Sequence, residues 1–251
     1  MEKIGHFTFA AEAYLMDLRG RATLSMIGNY LIHAASGHAG ARGFGFNEMS
    51  ERHTAWVLSR LAIEMREYPV AGDTIHLYTW IDEVGRLFTS RCFELADGEG
   101  KTFGFGRSIW AAIDLESRRP TPLDREALGV YVDGRPCPIE RPGKIQPVEG
   151  RSEGIPYEIK YSDLDINGHF NSVKYIEHLL DLFPIEDFRR GEIRRMEVAY
   201  LSEGKPGMPL TLHKAEAAPG VYDMAVCHAG KAICRASVRW AGDTGSPDKA
   251  E

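Results

Sequence analysis

Five polar residues crowd one short stretch of the 251-residue chain: Asp163, Asp165, Asn167, His169 and Asn171. They alternate with Leu164, Ile166, Gly168 and Phe170, so an extended strand would carry them on one face. A carboxylate, a carboxamide and an imidazole together can move a proton and orient a carbonyl. In a straight strand, however, Asp165 and His169 would stand about 13 Å apart, at roughly 3.3 Å per residue. Gly168 permits a bend or bulge immediately before the imidazole. With that bend, Asp165, Asn167 and His169 converge, and the helix that follows aims its N–H groups and positive dipole end at the same point. Such a site suits an anionic transition state. A plain solvent-facing strand with an Asx turn and a helix N-cap at Asn171 or Ser172 explains Asn171 well and His169 poorly.

Other common sites fail on their spacing. Gly106-Arg-Ser108-Ile-Trp110 lacks the last glycine of a nucleophile elbow. Gly104-Phe-Gly106 lacks the third glycine of a dinucleotide loop, and neither a P-loop nor HExxH occurs. His33 and His38 sit near a helix end without carboxylates and read as surface or capping residues. Cys92, Cys137, Cys227 and Cys234 form no CxxC pair, which suits buried free thiols and no metal site. A formal net charge of −6 argues against a nucleic-acid binder. No apolar run is long enough for a bilayer, and the first residues lack a signal layout. The expectation is a cytoplasmic protein with no membrane association.

The elements that must position the cluster follow from periodicity. Phe7–Asp17 reads as extended and Ala22–Ala35 as a helix with Leu24, Ile27, Leu31 and Ala34 on one face. Ser36–Gly45 reads as a glycine-rich break. Strands follow around residues 60–66, 75–81, 88–95 and 103–114. Residues 135–156 are proline-rich and read as a linker. The order then restarts: Tyr157–Asp163 extended, Ser172–Phe183 helical and stopped by Pro184, then strands near 195–200, 210–215, 222–227 and 232–240. The predicted division is a first domain at 1–134, the linker, a second domain at 157–241 and a disordered tail at 242–251.

Two registers make this an internal repeat. Asp17-Leu-Arg-Gly20 aligns with Asp165-Ile-Asn-Gly168, and Arg60-Leu61-Ala62-Ile63 with Arg195-Met196-Glu197-Val198. Each half is one strand, one long helix and a run of antiparallel strands, an α+β arrangement with a sheet curled around a helix. The first half has Asp17, Arg19 and Arg21 where the second has Asp165, Asn167 and His169. It keeps the acid and loses the amide and the imidazole, so the second half is expected to hold one site per chain. The first is then free to shape a pocket, lined or covered by Ser36–Gly45.

Asp165-Ile-Asn167-Gly-His169-Phe-Asn171-Ser-Val-Lys174-Tyr175-Ile176 resembles the active-site motif of the acyl-acyl-carrier-protein thioesterases, the plant Fat type and their bacterial relatives. The resemblance extends over Trp56-Val-Leu-Ser-Arg60, Tyr68-Pro69, Gly72-Asp73, Thr79-Trp80 and Arg118-Arg119-Pro120, and covers most of residues 7 to 240. It implies a tandem hot-dog fold, a thioester hydrolase, and Asp165, Asn167, His169 and Glu203 as catalytic residues, with Asn171, Lys174 and Tyr175 at the substrate. Glu203 owes its place to the resemblance alone, since by itself it reads as exposed before the turn Gly204-Lys-Pro-Gly207. Many plant members carry a cysteine after that glutamate; here the residue is Gly204, which removes a cysteine nucleophile. Glu177 is a lower-ranked rival carboxylate.

The implied chemistry needs no metal and no cofactor. Glu203 or Asp165 activates water or attacks the thioester carbonyl, and His169 shares the proton work. The implied partner is an acyl carrier protein bearing an acyl-phosphopantetheine, with Arg189, Arg190, Arg194 and Arg195 as a candidate basic patch. Acyl-coenzyme A hydrolysis and non-catalytic acyl binding are the alternatives. The chain is expected to be a monomer or homodimer.

Overall fold

The computed structural model describes residues 2–241. The predicted tail at 242–251 lies outside them. The strands are β1 (Gly5–Ala10), β2 (Thr54–Met65), β3 (Thr74–Val84), β4 (Thr89–Ala96), β5 (Thr102–Asp114), β6 (Ile155–Glu158), β7 (Ile193–Tyr200), β8 (Pro209–Ala218), β9 (Val221–His228) and β10 (Lys231–Trp240). The helices are α1 (Leu24–Gly40), α2 (Phe46–Glu51), α3 (Arg125–Gly129), α4 (Ser172–Leu180) and α5 (Ile185–Arg190). All ten strands form one antiparallel sheet in the order β1-β3-β4-β5-β2-β7-β10-β9-β8-β6. The architecture is α+β, a double hot dog, with each half-sheet wrapped on its own long helix. β2 and β7 pair at the centre, Arg60 opposite Ala199 and Glu64 opposite Arg195.

The repeat holds at the level of register. Phe9 faces Ile75 and Leu58 faces Trp110 in the first half; Tyr157 faces Leu210 and Ile193 faces Trp240 in the second. Even the β-bulge recurs, after Leu58 in one half and before Trp240 in the other. Both long helices are capped alike: Thr23 accepts from the Met26 amide at 3.1 Å, and Asn171 from the Val173 amide at 2.8 Å. The helices meet where Gly28 lies against Val173 and Ile176. A Cβ on Gly106 would stand 2.7 Å from Leu31, so that glycine lets the sheet approach α1 and is no phosphate loop.

Several sequence expectations need correction. Helix α1 runs past Ala35 through the glycine-rich stretch to Gly40. Gly37 packs on Phe7, where a Cβ would come within 2.8 Å, so a small residue is needed inside the helix. His38 is not a surface residue: it is 1% exposed, held by the Arg91 Nη1 donor at 2.9 Å and by the Lys3 carbonyl at 3.2 Å. The extended segments before each helix stop early, at Ala10 and Glu158, and each gives way to a single 3-10 turn. Helix α4 ends at Leu180, and Pro184 caps the next helix. The linker is a packed strap: Ile139 seals against Ala62 and Phe105, and Val148 against Ala225 and Cys227. Of the four free cysteines, Cys137 is only half-buried.

His38 gives stability a pH dependence. Burial, then the Arg91 and Arg42 charges, pushes it down to about 3 from 6.5. The folded state therefore binds fewer protons than the unfolded one, and stability present above pH 6.5 should decline as pH falls toward 3. Denaturant unfolding measured across that window is expected to flatten in the His38→Gln variant.

Candidate active site

The segment from Asp165 to His169 is a closed loop and not a strand. Leu164 bridges Phe170, the Asp165 amide donates to the His169 carbonyl at 2.9 Å, and the Gly168 amide donates to the Asp165 carbonyl at 3.0 Å. Gly168 takes a φ of +72°, a region that favours glycine. Inside the loop Asp165 Oδ1 accepts the Asn167 amide at 2.9 Å and the His169 amide at 3.0 Å. The predicted bend is thus present, and one carboxylate oxygen is fixed by it. The Asn167 side chain is exposed at the loop tip.

Two hydrogen bonds place this loop. The Phe170 amide donates to the Gly204 carbonyl at 2.9 Å, and the Asn171 amide to the Asp163 carbonyl at 2.8 Å. The first brings the segment after β7 alongside, so that Glu203 Oε1 lies 3.5 Å from His169 Nδ1. The second rests on Asp163, which is 2% exposed. Its carboxylate accepts Tyr157 Oη at 2.6 Å, the Lys160 amide at 2.7 Å and His178 Nε2 at 2.8 Å. Burial works to raise its pKa, yet these donors hold it below the usual carboxylate value. Asp163 therefore anchors the loop from beneath and belongs to no exposed polar face.

The first half contributes a residue that motif reading missed. Arg118, beyond β5 and at a φ of +57°, donates to Glu203 Oε1, and Lys205 Nζ lies 3.7 Å from Oε2. The signal in sequence was Arg118-Arg119-Pro120, whose likeness was visible but whose target, 85 residues away, was not.

The remaining expected residues are engaged elsewhere. Asn171 caps α4, and Lys174 Nζ pairs with Glu177 at 2.5 Å. Tyr175 is buried, and its Oη accepts the Gly204 amide at 3.1 Å. The cap also takes the Val173 amide, and the Asn171 carbonyl takes those of Lys174 and Tyr175, so fewer helix amides face an oxyanion than the sequence suggests. Of the four arginines in the candidate patch, Arg195 is buried between Glu64 and Glu197, Arg189 pairs with Glu186, and Arg194 with Glu192.

The first-half copy is the same loop, filled by charge pairs. Asp17 Oδ1 accepts the Arg19 and Arg21 amides at 2.8 and 3.0 Å. Arg21 stands where His169 does and pairs with Asp17 at 3.0 Å and Glu192 at 2.6 Å. Tyr68 takes the place of Glu203 and lies beneath the Arg21 guanidinium.

Gly204 has no room for a larger residue: a Cβ there would stand 2.8 Å from Tyr175 Oη and 3.0 Å from the Phe170 Cβ. Gly204→Cys is expected to destabilise the fold by about 1–3 kcal/mol through overpacking, read by denaturant unfolding, and to add no activity.

A cavity lies between the C-terminal part of α1 and the first half-sheet, with Ala39, Phe44, Trp56, Ile81, Trp110 and Leu128 in its mostly apolar wall. Trp56 lies on the end of β2 that runs toward the Glu203 segment.

Comparison with known proteins covers the whole fold. Residues 5–131 match the family model of the acyl-ACP thioesterase N-terminal domain, and residues 148–242 that of the C-terminal domain. An acyl-ACP thioesterase of Bacteroides thetaiotaomicron is 41% identical, with a TM-score of 0.87 over 95% of this chain and 98% of that one. An acyl-acyl-carrier-protein hydrolase of Cuphea viscosissima is 29% identical over 210 residues, 78% of this chain and 51% of its own. The 12:0-ACP thioesterase of Umbellularia californica, at 22% identity, shares the fold with a TM-score of 0.86 over 96% of this chain and 98% of that one. The chain spans about half the length of the curated relatives it matches.

Proposed function

Because this chain belongs to the acyl-acyl-carrier-protein thioesterase family, we propose that it hydrolyses the thioester of a fatty acyl carrier protein, releasing the free acid and ending chain elongation. The observation that carries this reading is the His169–Glu203 contact, 3.5 Å long and formed only in the half whose loop holds an imidazole. Asp165, Asn167, His169 and Glu203 are its proposed catalytic residues. Glu203 takes a proton from water as the water oxygen bonds to the thioester carbon. The carbon–sulfur bond then breaks, and His169 relays the proton to the departing thiolate. Asn167, exposed at the loop tip, orients the carbonyl. The cavity under α1 receives the acyl chain. Asp165, with one oxygen tied to its loop, is the alternative attacking group through the other.

Arg118 and Lys205 beside Glu203, with the exposed Ile166 on the Asp165–His169 loop and Tyr161 just before it, suit an acidic carrier bearing an apolar cargo. Four free thiols fit work in the reducing cytoplasm, and among the described residues no helix is long and apolar enough to cross a membrane. Turnover of one acyl chain on carrier protein and on coenzyme A, followed by thiol release, tests the reading. Equal or better turnover on coenzyme A overturns the carrier assignment. Single turnover in heavy-oxygen water separates the routes: label in the enzyme means a carboxylate attacked.

A further inference from the structure

The acyl cavity has a feature that a pocket for plain hydrocarbon does not need. Arg91, on β4, is 5% exposed and forms part of its wall. Among the described residues it forms no ion pair. Its side-chain hydrogen bonds to the described residues run from Nη1, to His38 Nδ1 at 2.9 Å and to Thr79 Oγ1 at 3.1 Å. Both acceptors are neutral. His38 accepts on Nδ1, so its proton sits on Nε2 and goes to the Lys3 carbonyl. The nearest second charge is also a cation: Arg42, which donates to the His38 carbonyl at 3.0 Å and lines the same cavity. A guanidinium has five N–H donors, and a buried one without a carboxylate is costly unless something else meets it. Burial and the Arg42 charge pull Arg91 down to about 10, as expected where no anion offsets them.

The sheet order says where this cation lies. From the catalytic side outward the strands run β7, β2, β5, β4. Three strand spacings, about 14 Å in all, therefore separate β7, which leads into Glu203, from the strand of Arg91. Trp56 on β2 and Trp110 on β5 line the cavity between them. Along that row the wall is apolar at Trp56 and Trp110 and cationic at Arg91.

We infer that this cavity selects an acyl chain whose distal end carries an oxygen acceptor, a hydroxyl, oxo or carboxylate group, and that Arg91 is the residue that reads it. This rests on the cavity being the acyl pocket, and it deepens that reading by naming the substrate class. A methyl-terminated chain long enough to reach Arg91 would cover its spare N–H groups without pairing them. An oxygen-terminated chain of the same length would accept a charge-assisted hydrogen bond.

The test uses the purified full chain and non-hydrolysable acyl-pantetheine amides in matched sets: methyl-ended, ω-hydroxy and ω-carboxy, at several lengths. Binding is followed by calorimetry and by the intrinsic tryptophan fluorescence, to which Trp56 and Trp110 in the cavity wall contribute, so it does not depend on catalysis. Wild type is expected to bind the oxygen-ended member of at least one length about tenfold or more tightly. Arg91→Met should reverse that order, and Arg91→Lys should keep part of it for the carboxylate. Wild type preferring methyl-ended chains at every length overturns the inference, whether or not the variants fold. Failure of all three ligands to bind would instead overturn the cavity as the acyl pocket. Hydrolysis of the corresponding carrier-protein thioesters then shows whether the preference reaches kcat/KM.

Discussion

His169→Ala and Glu203→Gln are each expected to lower kcat/KM at least about a hundredfold, the usual size of a general acid–base contribution. Combined, they should cost little more than the worse single change. The expectation of non-additivity comes from their 3.5 Å contact: once either group is gone, the other has no partner to pass a proton to. Additive losses, measured by thiol release over a range of pH, would mean that the two groups act in separate steps. Neither variant should unfold. Both side chains are partly exposed, at 24% and 33%, and neither fills the core. Glu203→Gln also leaves Arg118 without its counter-charge at an exposed position, which costs little.

Asp165→Ala should be comparably severe for a different reason, and Asp17→Ala supplies its control. Each carboxylate closes its own loop by accepting two amides on one oxygen. Removing Asp165 frees the loop that aims His169 and is expected to reduce turnover about a hundredfold or more. Removing Asp17 opens the corresponding loop and breaks its pair with Arg21, so it should lower the unfolding free energy with kcat within about twofold of wild type, because no imidazole depends on it. Asp165→Asn divides the two roles of the residue. The carboxamide keeps the anchoring oxygen and loses the charge on the other. Activity as low as with alanine assigns chemistry to the free oxygen; recovery assigns the residue to holding the loop.

Much of this was legible in the chain because a repeat imposes itself on pattern. The Asp-x-x-Gly steps, the helical faces at Leu24–Ala34 and Val173–Leu180, and the alternation in β2 and β7 each follow from local periodicity and recur in structure. Three features escaped it. The bend at Gly168 was legible, but the alternation around Asp165 still read as a strand, whereas one carboxylate accepting two amides closes the segment into a loop. Helix α1 ran through glycines because Gly37 must pass Phe7, a residue on a different element. Arg118 reached Glu203 across the junction of the halves, a contact that no short window of sequence contains. The buried Asp163 belongs with these, since the two partners that matter most, Tyr157 and His178, lie on a strand and a helix outside the motif.

The central β2–β7 pair has a bearing on ancestry and engineering. In a dimer of identical hot dogs each copy must serve as both catalyst and support, so no substitution can improve one role without being imposed on the other. Covalent joining dissolves that symmetry. It also turns an association equilibrium into an intramolecular one. One lobe could therefore exchange an imidazole for Arg21 and a carboxylate for Tyr68 and still have its partner beside it. The same junction makes the lobes inseparable: cut apart, each would present a central strand with unpaired backbone groups, an invitation to aggregate.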